Sequence, residues 1–171
     1  MGEPVVAIVM GSDSDWPTMK PAAELLKDFN IECEVKVMSA HRTPKKVQTY
    51  ASTAADAGLK VIIAAAGGAA HLAGVVSSFT HLPVIGVPMK TSALGGMDSL
   101  LSTVQMPAGV PVATVGVGEA GAVNAAVLAA QVLALDTPKV VDQLEQYRQK
   151  LQKEADQKAE SVKSSIQSTS A

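Results

Sequence analysis

Charge is scarce in this 171-residue chain: 14 basic and 16 acidic residues make up 18% of it, against roughly 25% for an average soluble domain. The shortage is uneven. From Val61 through Gly118 only Lys90 and Asp98 are charged, whereas eleven charges lie from Pro138 onward. The middle of the chain must therefore be largely buried. A single cysteine, Cys33, excludes an internal disulfide framework and a cysteine-based zinc site, and fits a reducing cytosol. It reads as a small strand residue. A net charge of −2 without a basic block lacks the electrostatic footprint of a nucleic-acid binder, so no nucleic-acid partner is expected. The chain has no Walker A lysine, no H-E-x-x-H and no strand-three aspartate of the receiver type, which disfavours ATP and zinc chemistry. No basic segment precedes the first apolar run, so no secretory leader is expected and the location reads as cytoplasmic.

The uncharged stretch between Lys60 and Lys90 is long enough to raise a membrane span, which takes about 20 apolar residues. Gly67, Gly68, His71, Ser77, Ser78, His81, Pro83 and Pro88 interrupt it. Split at these positions, it becomes short strands and a short helix, and no membrane contact is expected.

What the chain does have is a βαβ rhythm. Apolar, β-branched runs at Val5 to Met10, Glu32 to Met38, Lys60 to Ala66, Pro83 to Pro88 and Pro111 to Val117 read as strands. Helices are predicted at Trp16 to Asp28, at Pro44 to Asp56 with Thr43 as its cap, and at Ala69 to Phe79. Two more follow at Met97 to Gln105 and Glu119 to Leu135, the last alanine-rich with little polar face. A final amphipathic helix is predicted over about 138 to 163, with a polar tail from there to 171. Strands that are apolar throughout and alternate with helices imply a parallel sheet covered on both faces. The fold class is α/β, a three-layer sandwich in one domain over 1 to 171 with its core at about 4 to 135.

In open parallel sheets ligands bind at the carboxyl ends of strands. Three predicted strands end there in polar, glycine-containing loops: GSDSDW (Gly11 to Trp16), SAHRTP (Ser39 to Pro44) and AGGAAHL (Ala66 to Leu72). In the first, Ser12 and Ser14 lead into a helix N-terminus whose free N–H groups favour an anion such as phosphate. Asp15 would repel phosphate; it either caps the helix or accepts from ribose hydroxyls, and the two roles are compatible. In the second, His41 has the side chain best suited to give and take a proton near neutrality, and Arg42 offers a planar fork to phosphate. A loop histidine beside a surface ion-pair partner is the plainer alternative, and the strand-end position favours the site. In the third, Gly67 and Gly68 permit close backbone approach to a ligand. His71, predicted one turn into a helix, either contacts ligand or packs. His81 reads as structural. GVGEAG (Gly116 to Gly121) matches G-x-G-x-x-G formally but lacks the second strand ending in an acidic residue, so it reads as a tight, closely packed turn.

Together GSDSDW, SAHRTP, AGGAAHL, DSLLSTVQMP (Asp98 to Pro107) and GVPVATVGVG (Gly109 to Gly118) resemble the class I PurE family, the N5-carboxyaminoimidazole ribonucleotide (N5-CAIR) mutases. The resemblance runs from Val5 to about Leu135. It departs at Ala73, where the family usually has proline. It implies a flavodoxin-like sandwich assembled as a homo-octamer, with sites shared between neighbouring subunits, and an isomerisation needing neither metal nor cofactor. The substrate would be a ribonucleotide whose carboxylate leaves the exocyclic amine as transient CO2 and is recaptured on carbon 4. His41 would be the general acid and base, with Ser12, Ser14, Asp15, Ser39, Arg42, Gly67, Gly68, Ala69 and His71 binding substrate. Two alternatives stay open: direct carboxylation of aminoimidazole ribonucleotide (AIR) by CO2, and a non-catalytic mononucleotide-binding module of flavodoxin type.

Overall fold

The computed structural model describes residues 2–169. Its centre is a five-stranded, wholly parallel sheet of β1 (Val6–Met10), β2 (Cys33–Val37), β3 (Val61–Ala66), β4 (Val84–Pro88) and β5 (Ala113–Thr114). The strand order is β2-β1-β3-β4-β5, the flavodoxin-like arrangement in which the order of strand addition reverses between β1 and β3.

Side chains alternate across a strand, and here both sets are apolar. Val6, Ile8, Met10, Val61, Ile63, Ala65, Ile85 and Val87 enter one core, and Ala7, Val9, Ile62, Ala64 and Val84 the other. The first core is closed by α1 (Trp16–Asp28) and α5 (Glu119–Ala134), the second by α2 (Pro44–Thr53) and α3 (Leu72–Ser77). Helix α4 (Met97–Val104) lies on the α3 side, where Thr103 and Ala73 crowd the backbone of Gly86. Helix α6 (Pro138–Thr169) packs on the α1–α5 layer through Tyr147, whose ring meets Phe29 edge-on at 5.4 Å.

Several sequence expectations shift for identifiable reasons. Coverage on both faces holds for β1, β3 and β4, but β2 is an edge strand and leaves Val35 and Val37 exposed. The predicted fifth strand shrinks to two residues, because Pro111 has no N–H to give and beyond Thr114 only scattered bonds, Val115 to Gly86 and Gly118 to Pro88, follow β4. Thr43 stands at the N-cap of α2 as expected, but its side chain makes no cap bond; its hydroxyl donates to the Ser39 carbonyl at 3.0 Å and accepts from the Ser39 N–H at 3.1 Å, closing the loop instead. Helix α3 begins at Leu72, not Ala69, since Gly68 adopts φ +68° and turns the chain. His71 is thus the residue before the helix rather than one turn inside it. GVGEAG is the tight packing expected: a Cβ on Gly121 would collide with the Gly116 carbonyl.

At the C-terminus the helix does not stop near residue 163. It continues through Thr169, supported by an i,i+3 ion pair, Lys163 to Glu160, and by the Ser164 hydroxyl on the Glu160 carbonyl. Local side-chain pairs of this kind favour helix in a polar segment. Residues 170 and 171 of the predicted tail lie outside the described residues.

Candidate active site

The loops after β1, β2 and β3 meet at the carboxyl edge of the sheet, around the β1–β3 switch. After β1, Ser12 caps a short 3-10 turn, Asp13–Asp15, that runs into α1. Its hydroxyl accepts from the Ser14 N–H at 3.3 Å and from the Ser14 hydroxyl at 2.8 Å. Asp15, half-buried, returns a carboxylate oxygen to the Ser12 N–H at 3.2 Å and so completes the capping box of this turn; it occupies the N-cap position of α1 but makes no side-chain cap bond to that helix. Burial pushes its carboxyl above the ordinary range; the Ser12 N–H pulls the other way, and the Asp13 charge adds to the rise.

After β2, the Ser39 hydroxyl accepts from the Arg42 N–H at 3.1 Å, and the Arg42 guanidinium donates to the Gly11 carbonyl at 3.1 Å. This ties the second loop to the first and holds the cation at the cavity wall. After β3, Gly67 and Ala69 face the cavity, and His71 reaches back across it. Its Nδ1 lies 2.8 Å from His41 Nε2, with the rings perpendicular at 4.9 Å between centroids.

The cleft they form, open to solvent on one side, has a volume of about 440 Å³, within the range of small-molecule sites. Ser12, Ser14, Asp15, Ser39, His41, Arg42, Gly67, Ala69 and His71 all line it, joined by Gly11, Ala40, Ala66 and Leu72. Gly68, the remaining predicted residue, does not. Its N–H goes to the Ser99 hydroxyl at 2.9 Å and its carbonyl accepts from Ser102 at 3.2 Å, both from α4. Ser99 and Ser102 lie within the DSLLSTVQMP stretch but were given no site role; the one signal was a set of hydroxyls, Ser99, Ser102 and Thr103, on a short helix. His81 lies outside the hollow.

One cation, one half-buried carboxylate, three serine hydroxyls, a pair of touching imidazoles and a small-residue wall suit a phosphorylated, ribose-bearing ligand and proton transfer to it. Among the described residues no group of three or more His, Cys, Asp or Glu is placed to hold a metal ion, and no helix is long and apolar enough to cross a membrane. Cys33 is half-buried away from the site, and burial pushes its thiol up, toward the unreactive protonated form.

Fold and site define a flavodoxin-like α/β protein with a nucleotide-sized, acid/base-equipped hollow at its strand switch. The family model described as AIR carboxylase matches residues 5–154, and the chain belongs to that family. Relatives named N5-carboxyaminoimidazole ribonucleotide mutase are 55% identical in Pyrococcus abyssi, across 90% of this chain and 87% of that one, and 56% identical in Bacillus subtilis, across 86% and 91%. The crystal structure of Treponema denticola PurE superposes with a TM-score of 0.82 at 30% identity, across 90% of this chain and 95% of that one.

Proposed function

We infer that this protein is an N5-carboxyaminoimidazole ribonucleotide mutase, acting in purine biosynthesis. The observation that carries the site's role is the placement of His41, at the mouth of a nucleotide-sized hollow and opposite the glycine wall. Arg42 and the hydroxyls of Ser12 and Ser14 take the phosphate, Asp15 accepts from the ribose, and Ser39 holds the Arg42 loop in place. With the nucleotide so fixed, His41 protonates the exocyclic nitrogen as its carboxylate leaves as CO2. Carbon 4 then attacks CO2, and its proton returns to His41. Protons balance over the cycle, so one imidazole serves as acid and then base and no cofactor is called for. An N–H between the two rings lets His71 set which His41 nitrogen carries the proton.

Assembly as a homo-octamer is part of this reading. Helix α4 and the loop before it present Leu94, Met97, Leu101 and Val104 to solvent at 64%, 54%, 50% and 47% exposure. A contiguous apolar face of this kind favours cover by further copies of the chain. His41 and His71 are themselves exposed in one chain, and a neighbouring subunit would dry them. A cytoplasmic location fits the reduced Cys33.

The test supplies purified protein with each substrate alone. CAIR formed from N5-CAIR supports the mutase; CAIR formed from AIR plus bicarbonate but none from N5-CAIR overturns it in favour of direct carboxylation.

A further inference from the structure

The residues so far assigned to chemistry come from the strand ends, yet the wall they face is held from elsewhere. Ser99 is a fully buried polar residue at 0% exposure, and its hydroxyl accepts the Gly68 N–H. The Ser102 hydroxyl, shared with the Asp98 carbonyl one turn back, also reaches the Gly68 carbonyl. Both polar groups of a single glycine are thus held by successive turns of α4. Gly68 is where the chain leaves the cavity, at φ +68°, between Gly67 and Ala69, which line it. The loop's own bonds hang from the same point: the Ala70 N–H reaches the Gly68 carbonyl, and the His71 N–H the Ala69 carbonyl. Behind Gly67 there is little slack, since a Cβ there would stand 3.2 Å from Met89 Cβ.

We propose that Ser99, aided by Ser102, is a positioning residue for the carboxyl transfer: from α4 it anchors Gly68 and so sets the wall that retains CO2. This rests on the mutase reading. The physical reason lies in the cargo. CO2 is uncharged and a poor hydrogen-bond acceptor, so shape alone confines it, and a wall free to shift opens an exit. The nucleotide is held differently, by charge and hydroxyls on the β1 and β2 loops, whose side-chain hydrogen bonds run within and between those two loops. Loss of the anchor should therefore cause leakage of CO2 rather than loss of binding.

The experiment follows the fate of N5-CAIR in wild type, Ser99→Ala, Ser102→Ala and Thr103→Val. Product CAIR and released AIR are measured together, with incorporation of label from ¹³C-bicarbonate. Thr103 is buried on the same helix and donates only to the Ser99 carbonyl, so its variant reports general loosening of α4. Ser99→Ala is expected to raise the AIR fraction and label uptake several-fold with KM for N5-CAIR unchanged. Ser102→Ala should do so less, and Thr103→Val not at all. An AIR fraction equal to wild type in both serine variants, or equal leakage from Thr103→Val, overturns the proposal. Should Ser99→Ala not fold, half-buried Ser102→Ala decides alone. Wild type that does not convert N5-CAIR overturns the mutase reading itself, and the anchor's role with it.

Discussion

The α1–α5 layer and the carboxyl edge of the sheet are made from very different side chains. In the layer, Ala122, Ala125, Ala126, Ala129 and Ala130 are all at 0% exposure on one side of α5, against Ala22 and Leu26 of α1 and beneath α6. Small residues there let two helices and a sheet approach closely and bury an almost uncharged helix within the chain. At the edge, glycine turns leave His41, Arg42 and His71 exposed and spend backbone groups on side-chain hydroxyls. Low charge therefore has two meanings here. In α5 it marks packing inside the chain, and in α4 it goes with an apolar face left exposed to solvent.

The contrast can be broken most severely at the edge. His41→Asn should lower turnover of N5-CAIR by about 10²- to 10⁴-fold, the usual contribution of a general acid/base, while thermal unfolding stays at the wild-type temperature. A comparable loss of stability would place His41 in the packing instead. Next in size is Leu101→Glu on the open face of α4. It should leave the subunit folded by circular dichroism yet shift its mass by light scattering to smaller species, with activity falling in parallel. An unchanged mass would remove α4 from the assembly contacts. In the packed layer, Ala126→Leu should cost about 1–3 kcal/mol by overpacking with kcat for the folded fraction unchanged, as denaturant melts and kinetics would show.

The smallest effect joins the two regions. Asp15 has a folded-state pKa raised by burial, so its favourable contribution is complete below the ordinary carboxyl range and is lost as pH rises through the raised value. Asp15→Asn should consequently raise the melting temperature slightly at pH 7 and not in acid, while KM for N5-CAIR rises. A lower melting temperature at pH 7 would show that the cap bond to Ser12 outweighs the buried charge.

Much of the fold was legible because its signals are local. Apolar runs at β1, β3 and β4 and the Pro44 and Trp16 helix starts each depend on a few neighbouring residues, and they lie within a residue of where they were placed. Misplaced elements are those where two local signals compete. Thr43 can cap a helix or close a loop, and Gly68 can start a helix or turn the chain; the choice depends on Ser39 in one case and on Ser99 and Ser102 in the other. The segment beyond residue 163 reads as a tail from its polar composition, whereas its backbone stays helical, with the i,i+3 pair Lys163 to Glu160 at its start.

By itself, then, the sequence determined the parallel α/β architecture, the three strand-end loops and the residue types they bring, since strand period, turn glycines and helix starts act over short spans. The tertiary structure decided which of those residues meet. It set His71 against His41, thirty positions away in sequence, turned Gly68 out of the hollow, and made α4 the support of the site's wall. Such pairings depend on how the helices settle on the sheet, which is a property of the whole packed core and of no single stretch of chain.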